Sequence, residues 1–146
     1  MPAAISVEAA PRAFWRRDLT LALLAAPLAL AVNAGGGFKT LIGASADNDS
    51  LMRLVEVRDL LAGQGWFDLH QYRMGLEGGF AMHWSRLVDA PIAAIVLVAS
   101  AITGSRAIAE TVAQILWPAL AYALTVFFLA RAALKPRPHP PIQRLP

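Results

Sequence analysis

The chain has no cysteine, which rules out disulfide staples and thiolate zinc centres. It is also poor in charge. Asp, Glu, Lys and Arg make up 16% of its 146 residues, against 57% for the hydrophobic types. A mean hydropathy of +0.50 is too apolar for an ordinary soluble domain of this size. Three stretches carry no charge at all: Leu19–Phe38, Ala90–Ser105 and Thr111–Ala130. Each is long enough, or nearly so, to cross a hydrocarbon layer about 30 Å thick as a helix. No GxSxG, HExxH or P-loop pattern is present. No basic stripe with interleaved aromatics appears, so nucleic acid is not expected as a partner. The net charge of +3 sits instead at helix flanks, in Arg12, Arg16 and Arg17 and again in Arg131, Lys135 and Arg137. Lipid headgroups and topology account for bases in such places.

The acid that is present is concentrated. Asp47, Asp49, Glu56, Asp59, Asp68 and Glu77 lie between Gly43 and Arg86, six of the chain's ten acidic residues. The resulting expectation is an all-α membrane protein of three transmembrane helices, with an amphipathic helix in the first extramembrane loop. Residues 1–18 form an N-terminal segment ending in the aromatic and basic anchor Phe14-Trp15-Arg16-Arg17. The first span covers 19–43, with a tolerable kink at Pro27. Its rival is a cleaved signal peptide ending near Val32-Asn33-Ala34. The loop covers 44–86. Within it, Leu51, Leu54, Val55 and Leu61 recur at helical spacing, which predicts a helix over 49–62 lying across the span axes. Asn48, Asp49 or Ser50 caps its start, and Gly63 or Gly65 suits its stop. The second span covers 87–103. A short connection leads to the third, over 110–134, with a kink at Trp117-Pro118. The proline-rich residues 135–146 cannot continue a helix.

The basic N-terminal flank argues for a cytoplasmic N-terminus in a multi-pass protein. Three crossings then put Arg131, Lys135 and Arg137 outside, against the charge rule. A re-entrant second span would return them inside.

Within the loop, Asp47 and Asp49 flank Asn48. Two hard oxygen ligands this close can share a divalent cation; equally, they can cap a helix N-terminus. Asn48-Asp49-Ser50 is also a glycosylation sequon of the kind that arises by chance. Arg53, Glu56, Arg58 and Asp59 suit exposed helical ion pairs, while Arg53 or Arg58 could instead clamp a phosphate with a guanidinium fork. His83 stands beside the interfacial Trp84, as a metal ligand, a phosphate partner or a hydrogen-bonded interfacial histidine. Asp89 is one turn from Arg86 and is its expected ion-pair partner. His70 and His139 have no supporting neighbours.

One helix, an acidic Asp-x-Asp loop, the run from Met52 to Asp68 and the run from Met82 to Asp89 together resemble the N-terminal portion of bacterial GT-C glycosyltransferases. That superfamily includes oligosaccharyltransferase catalytic subunits and mannosyltransferases. The resemblance covers roughly Arg16 to Arg131, and the loop is its specific part. It implies a site on the outer face of a bacterial inner membrane, and a sugar donor carried on polyprenyl phosphate. Asp47 and Asp49 would be the catalytic pair, holding a divalent cation (Mg or Mn) or acting as base toward the acceptor. Arg53, Arg58 and His83 would bind substrate. Two departures stand out. Ser50 occupies a position where related chains often carry a further acid, and family members have many more spanning helices. The chain is therefore expected to be an incomplete enzyme alone, working with other membrane subunits. The alternative is a small non-enzymatic membrane protein that binds a partner. A transporter subunit ranks behind both, because the uncharged runs offer no ion path.

Overall fold

The computed structural model describes residues 12–43, 46–75 and 77–133. The proline-rich tail and most of the N-terminal segment lie outside them. Four helices carry the fold: α1 (Arg12–Gly35), α2 (Asn48–Leu61), α3 (Arg86–Thr103) and α4 (Arg106–Ala133). A two-stranded antiparallel ribbon, β1 (His70–Gln71) with β2 (Phe80–Ala81), lies between α2 and α3. Helices α1, α3 and α4 are each long and apolar enough to cross a membrane.

The helix ends follow local chemistry. α1 stops at Gly35, because Gly36 and Gly37 turn back onto the carbonyls of Asn33 and Ala34 and Gly37 takes a positive φ of 65°. The expected extension to residue 43 is therefore a series of turns. α2 ends in a Schellman motif. The Gly63 N–H bonds the Leu60 carbonyl and the Gln64 N–H bonds the Asp59 carbonyl, while Gly63 supplies the left-handed residue. α3 is capped by the Ser85 hydroxyl at its start and by left-handed Gly104 at its end. Ser105 then opens α4 through its own carbonyl and hydroxyl, so α4 begins four residues before the expected start at 110. In the ribbon, Gly79 lies so close to Gln71 that an added Cβ would sit 2.9 Å from the Gln71 carbonyl oxygen. Only glycine fits there.

Packing is built on small residues. Val57 of α2, Ile92, Ala93, Val96 and Ala99 of α3, and Ala109 and Ala113 of α4 form one buried cluster. Alanines on the facing sides of α3 and α4 let the backbones approach closely, the usual solution between apolar helices. Val57 fills the groove between them, and its complete burial is worth about 2 kcal/mol. α1 turns Asp18, Ala22 and Ala25 inward and leaves Leu23, Leu24, Leu28 and Val32 exposed. This is the pattern of a helix that meets protein on a narrow stripe and lipid elsewhere.

The order of the helices in space differs from three successive crossings. α3 and α4 are antiparallel, joined by Gly104 and Ser105. α1 is antiparallel to α4 as well, since its start meets the end of α4. Trp15 stacks near Phe127 with ring centroids 5.8 Å apart, and the Arg131 guanidinium lies 3.6 Å from the Trp15 ring centre and 3.8 Å from Asp18. α1 and α3 therefore run parallel, and the basic residues Arg16, Arg17 and Arg131 gather at one end of the bundle. α2 packs against both helices of the α3–α4 hairpin. Its Arg53 reaches Asp89 near the start of α3, and its Arg58 reaches Glu110 near the start of α4.

Charge holds α2 in place. Arg86 is buried and spends two nitrogens on four acceptors. Its Nη1 donates to the Glu56 carbonyl oxygen (3.0 Å) and to Asp89 Oδ2 (3.2 Å), and its Nη2 donates to Gln64 Oε1 and to the Asp68 carbonyl oxygen (both 2.7 Å). Expected outcome: Arg86→Ala lowers stability in detergent by about 3–5 kcal/mol, because it takes this donor from the Glu56 and Asp68 carbonyls and leaves the buried Asp89 with Arg53 alone. Exposed Glu77→Gln changes it little. Chemical denaturation followed by tryptophan fluorescence measures both. A second outcome concerns the helix order. Single cysteines at Arg17 and Ala132 should react with an impermeant thiol reagent from the same side of sealed vesicles. Reaction from opposite sides would contradict the antiparallel α1–α4 pair.

Candidate functional site

A cavity of about 320 Å³ opens between the start of α2, the residue before Ser85, and the middle of α4. Its polar lining is Asp49, Ser50, Arg53 and Gln114; Trp84 and Trp117 add aromatic walls, and Leu41, Leu54, Ile92 and Pro118 are among the apolar ones. Pro118 has no N–H to give to the Gln114 carbonyl, so the wall of α4 carries one backbone acceptor without its helical donor.

α2 brings Asp49 and Arg53 to this space because they stand one turn apart on the same face. They do not pair with each other. Arg53 is drawn back toward α3, where its Nη1 donates to Asp89 Oδ1 at 2.9 Å and lies 3.6 Å from Glu56 Oε2. Its guanidinium also lies over Trp84, 4.2 Å from the ring centre, an arrangement that favours a cation. Asp49 makes no ion pair among the described residues. The cavity thus presents a carboxylate and, one turn further along α2, an anchored arginine.

Asp47 has a different task. It is the N-cap of α2: its Oδ1 accepts the Ser50 N–H at 2.9 Å and its Oδ2 accepts the Ser50 hydroxyl at 2.7 Å. These bonds favour the ionised form, and the Asp47 carboxyl is held below its ordinary range. The two members of the Asp-x-Asp pair are therefore separated, one closing a capping turn and one bordering the cavity. Arg58 is likewise engaged elsewhere, in a bidentate pair with Glu110 (Nε to Oε1 2.9 Å, Nη2 to Oε2 2.7 Å) that Arg106 reinforces. His83 is exposed and does not line the cavity; it lies edge-on to Trp84 with centroids 6.1 Å apart. The arginines and acids of α2 thus bind mainly across elements: Asp59 takes Arg73 and Glu56 turns into the core.

The expected shared cation loses one of its two ligands, since both Asp47 oxygens are engaged at Ser50 and only the Asp49 carboxylate borders the cavity. Among the described residues no three Asp, Glu or His side chains converge.

Sequence reasoning missed several residues. Glu56 is fully buried beside Asp89, and neither of its side-chain oxygens has a hydrogen-bond partner. Burial, and then the negative charge of Asp89, push its carboxyl above the ordinary range. Asp18 is buried at the start of α1, with Arg131 as the nearest cation. Trp117 and Gln114 reach the cavity only through the packing of α4. A charged residue beside an otherwise uncharged run was the available signal for Asp18; nothing in the linear spacing marks Trp117 or Gln114. Comparison with known proteins finds no matching family model, no similar curated protein and no similar solved structure.

Expected outcome: Asp47→Ala lowers the thermal midpoint of the chain, while Asp47→Asn, itself a good cap, retains most of it. The pH dependence follows from the lowered carboxyl. The stabilisation that Asp47 supplies is full above the ordinary aspartate range and disappears as pH falls through its depressed value. Asp47→Asn should remove that acid-side loss. Melting curves across acidic pH check it.

Proposed function

We propose that the chain is a membrane module of the GT-C glycosyltransferase type, whose cavity receives the phosphate end of a polyprenyl-linked sugar. One observation supports this reading above the others: Asp49 and Arg53 border one cavity whose remaining wall, Ser50 and Gln114 apart, is apolar and aromatic. A prenyl phosphate combines the same two chemistries. Arg53 offers its unengaged nitrogens to phosphate oxygens, and its hold on Asp89 fixes the direction from which it does so. Trp84 and Trp117 flank the headgroup, and Ile92 and Pro118 continue the apolar wall toward the lipid tail.

Asp49 would hold a divalent cation together with the donor phosphate, or take the proton of an acceptor hydroxyl. The cation, when bound, neutralises charge on the leaving phosphate. Asp47 would act through position: by capping α2 it sets the direction in which Asp49 points. Arg58 would serve as a scaffold residue through Glu110, and His83 would contact substrate only from outside the cavity, beside Trp84. In this reading the module sits in a bacterial inner membrane. Its basic end, with Arg16, Arg17 and Arg131, is cytoplasmic, in accord with the positive-inside rule. Transfer itself requires partner subunits that complete the donor site.

The test is direct binding. Undecaprenyl phosphate added to the chain in detergent should change the emission of its tryptophans, and Trp84→Phe should remove most of the change. Arg53→Lys should weaken binding about tenfold, since a point charge replaces a fork. Binding that ignores both substitutions would place the ligand elsewhere. In an assembly that performs transfer, Asp49→Asn should abolish turnover and leave the amount of folded protein unchanged.

A further inference from the structure

Arg53 belongs to two environments at once. One side lines the cavity; the other is the cation for Asp89 and for Glu56. Around Glu56 the charges balance: Arg53 and Arg86 against Glu56 and Asp89. The balance is uneven in its contacts. Arg86 gives Glu56 only a bond to its backbone carbonyl oxygen and directs its other donors to Asp89, Gln64 and Asp68. The Glu56 carboxylate therefore depends on Arg53, at 3.6 Å and without a hydrogen bond. Among the described residues Arg53 is the cation in ionic contact with it; the buried Arg86 guanidinium also favours its charge, from farther off. Asp59 on its own helix is negative and pairs with Arg73, and on α4 Glu110 is occupied by Arg58 and Arg106.

We propose that binding of an anion to Arg53 in the cavity is coupled to the uptake of one proton by Glu56. This rests on the reading that the cavity takes a phosphate-bearing ligand. An anion that shares Arg53 weakens the one ionic contact that this fully buried carboxylate makes among the described residues. A buried charge that loses its partner is costly, and a carboxylate relieves that cost by protonation. Water supplies the proton, so one negative charge enters the cavity as one positive charge enters the cluster behind it. Burial and the neighbouring Asp89 already drive Glu56 toward its neutral form, which favours the response. The consequence is a cavity that holds its anion more tightly as pH falls, and that releases it when Glu56 gives up the proton.

The experiment uses methyl farnesyl phosphate, a phosphodiester whose charge is constant at every pH used, and the full chain in detergent without added divalent cations. Affinity should rise about tenfold from about pH 8.5 to about pH 5.5, a coupling within the ordinary allosteric range. Calorimetry in two buffers of different ionisation enthalpy should register proton uptake on binding. Glu56→Gln should bind without pH dependence, as tightly at the high pH as the parent does at the low one. His83→Gln should keep the parent's slope, because His83 is exposed beside Trp84 and not behind Arg53. Binding by the parent that neither varies with pH nor takes up a proton overturns the coupling and leaves the cavity assignment intact. A slope that survives Glu56→Gln, or vanishes with His83→Gln, overturns it too. Absence of any Arg53-dependent binding overturns the cavity assignment and the coupling together. Should Glu56→Gln fail to fold, the calorimetric proton count of the parent decides alone.

Discussion

The structure depends on one buried guanidinium. Arg86 sits at the first turn of α3 and reaches a backbone carbonyl of α2, a side-chain amide after it, a loop carbonyl and a carboxylate of its own helix. A planar fork with several fixed donors can satisfy acceptors that arrive from different directions; an ammonium on a flexible stem would hold fewer of them. Because those acceptors come from three separate segments, the position of α2 and the path from Gln64 to Asp68 are decided together. Remove the fork and the buried acceptors lose their donor, a cost that packing cannot recover.

This arrangement explains why the charges of α2 contribute little as surface ion pairs. Arg53 faces Asp89, Arg58 faces Glu110, and Glu56 is sealed beneath both helices. Each pair crosses between elements, so it fixes orientation more than it adds stability; a buried pair mostly offsets its own desolvation. The arginine that borders the cavity inherits that rigidity. Arg53 is held from behind by carboxylates and from the side by Trp84, so its free donors point where the scaffold directs them. Preorganised donors of this kind bind an anion without first losing side-chain freedom.

The apolar surface has its own logic. Small residues line the helix contacts, and large ones such as Leu23, Leu28, Leu97, Ile102 and Phe128 face outward. In water that arrangement would be unfavourable, since it exposes the side chains that gain most from burial. Against lipid it is the expected one: the bilayer solvates the large side chains, and close backbone approach supplies the helix contacts.

Much of this was legible without the tertiary structure. Long uncharged runs implied the apolar helices, because no other backbone arrangement satisfies its own hydrogen bonds in hydrocarbon. The Arg86–Asp89 pair followed from one-turn spacing, and the stop of α2 from Gly63; the cap fell one residue earlier than Asn48, Asp49 or Ser50, on Asp47, whose carboxylate accepts the Ser50 N–H. Three matters were decided only in space. The Asp-x-Asp pair reads as a unit, yet the capping turn occupies one member and leaves the other at a cavity. The ends of the bundle meet, because α4 is long enough to pack α3 along one part and α1 along another. Glu56 is an ordinary polar position by periodicity, but the packing of α2 against α3 and α4 seals it. Local pattern fixes which residues share a helical face. What that face meets depends on partners dozens of residues away, Asp89 and Glu110 here, and only their long-range packing determines whether a charge stays in water or becomes part of the core.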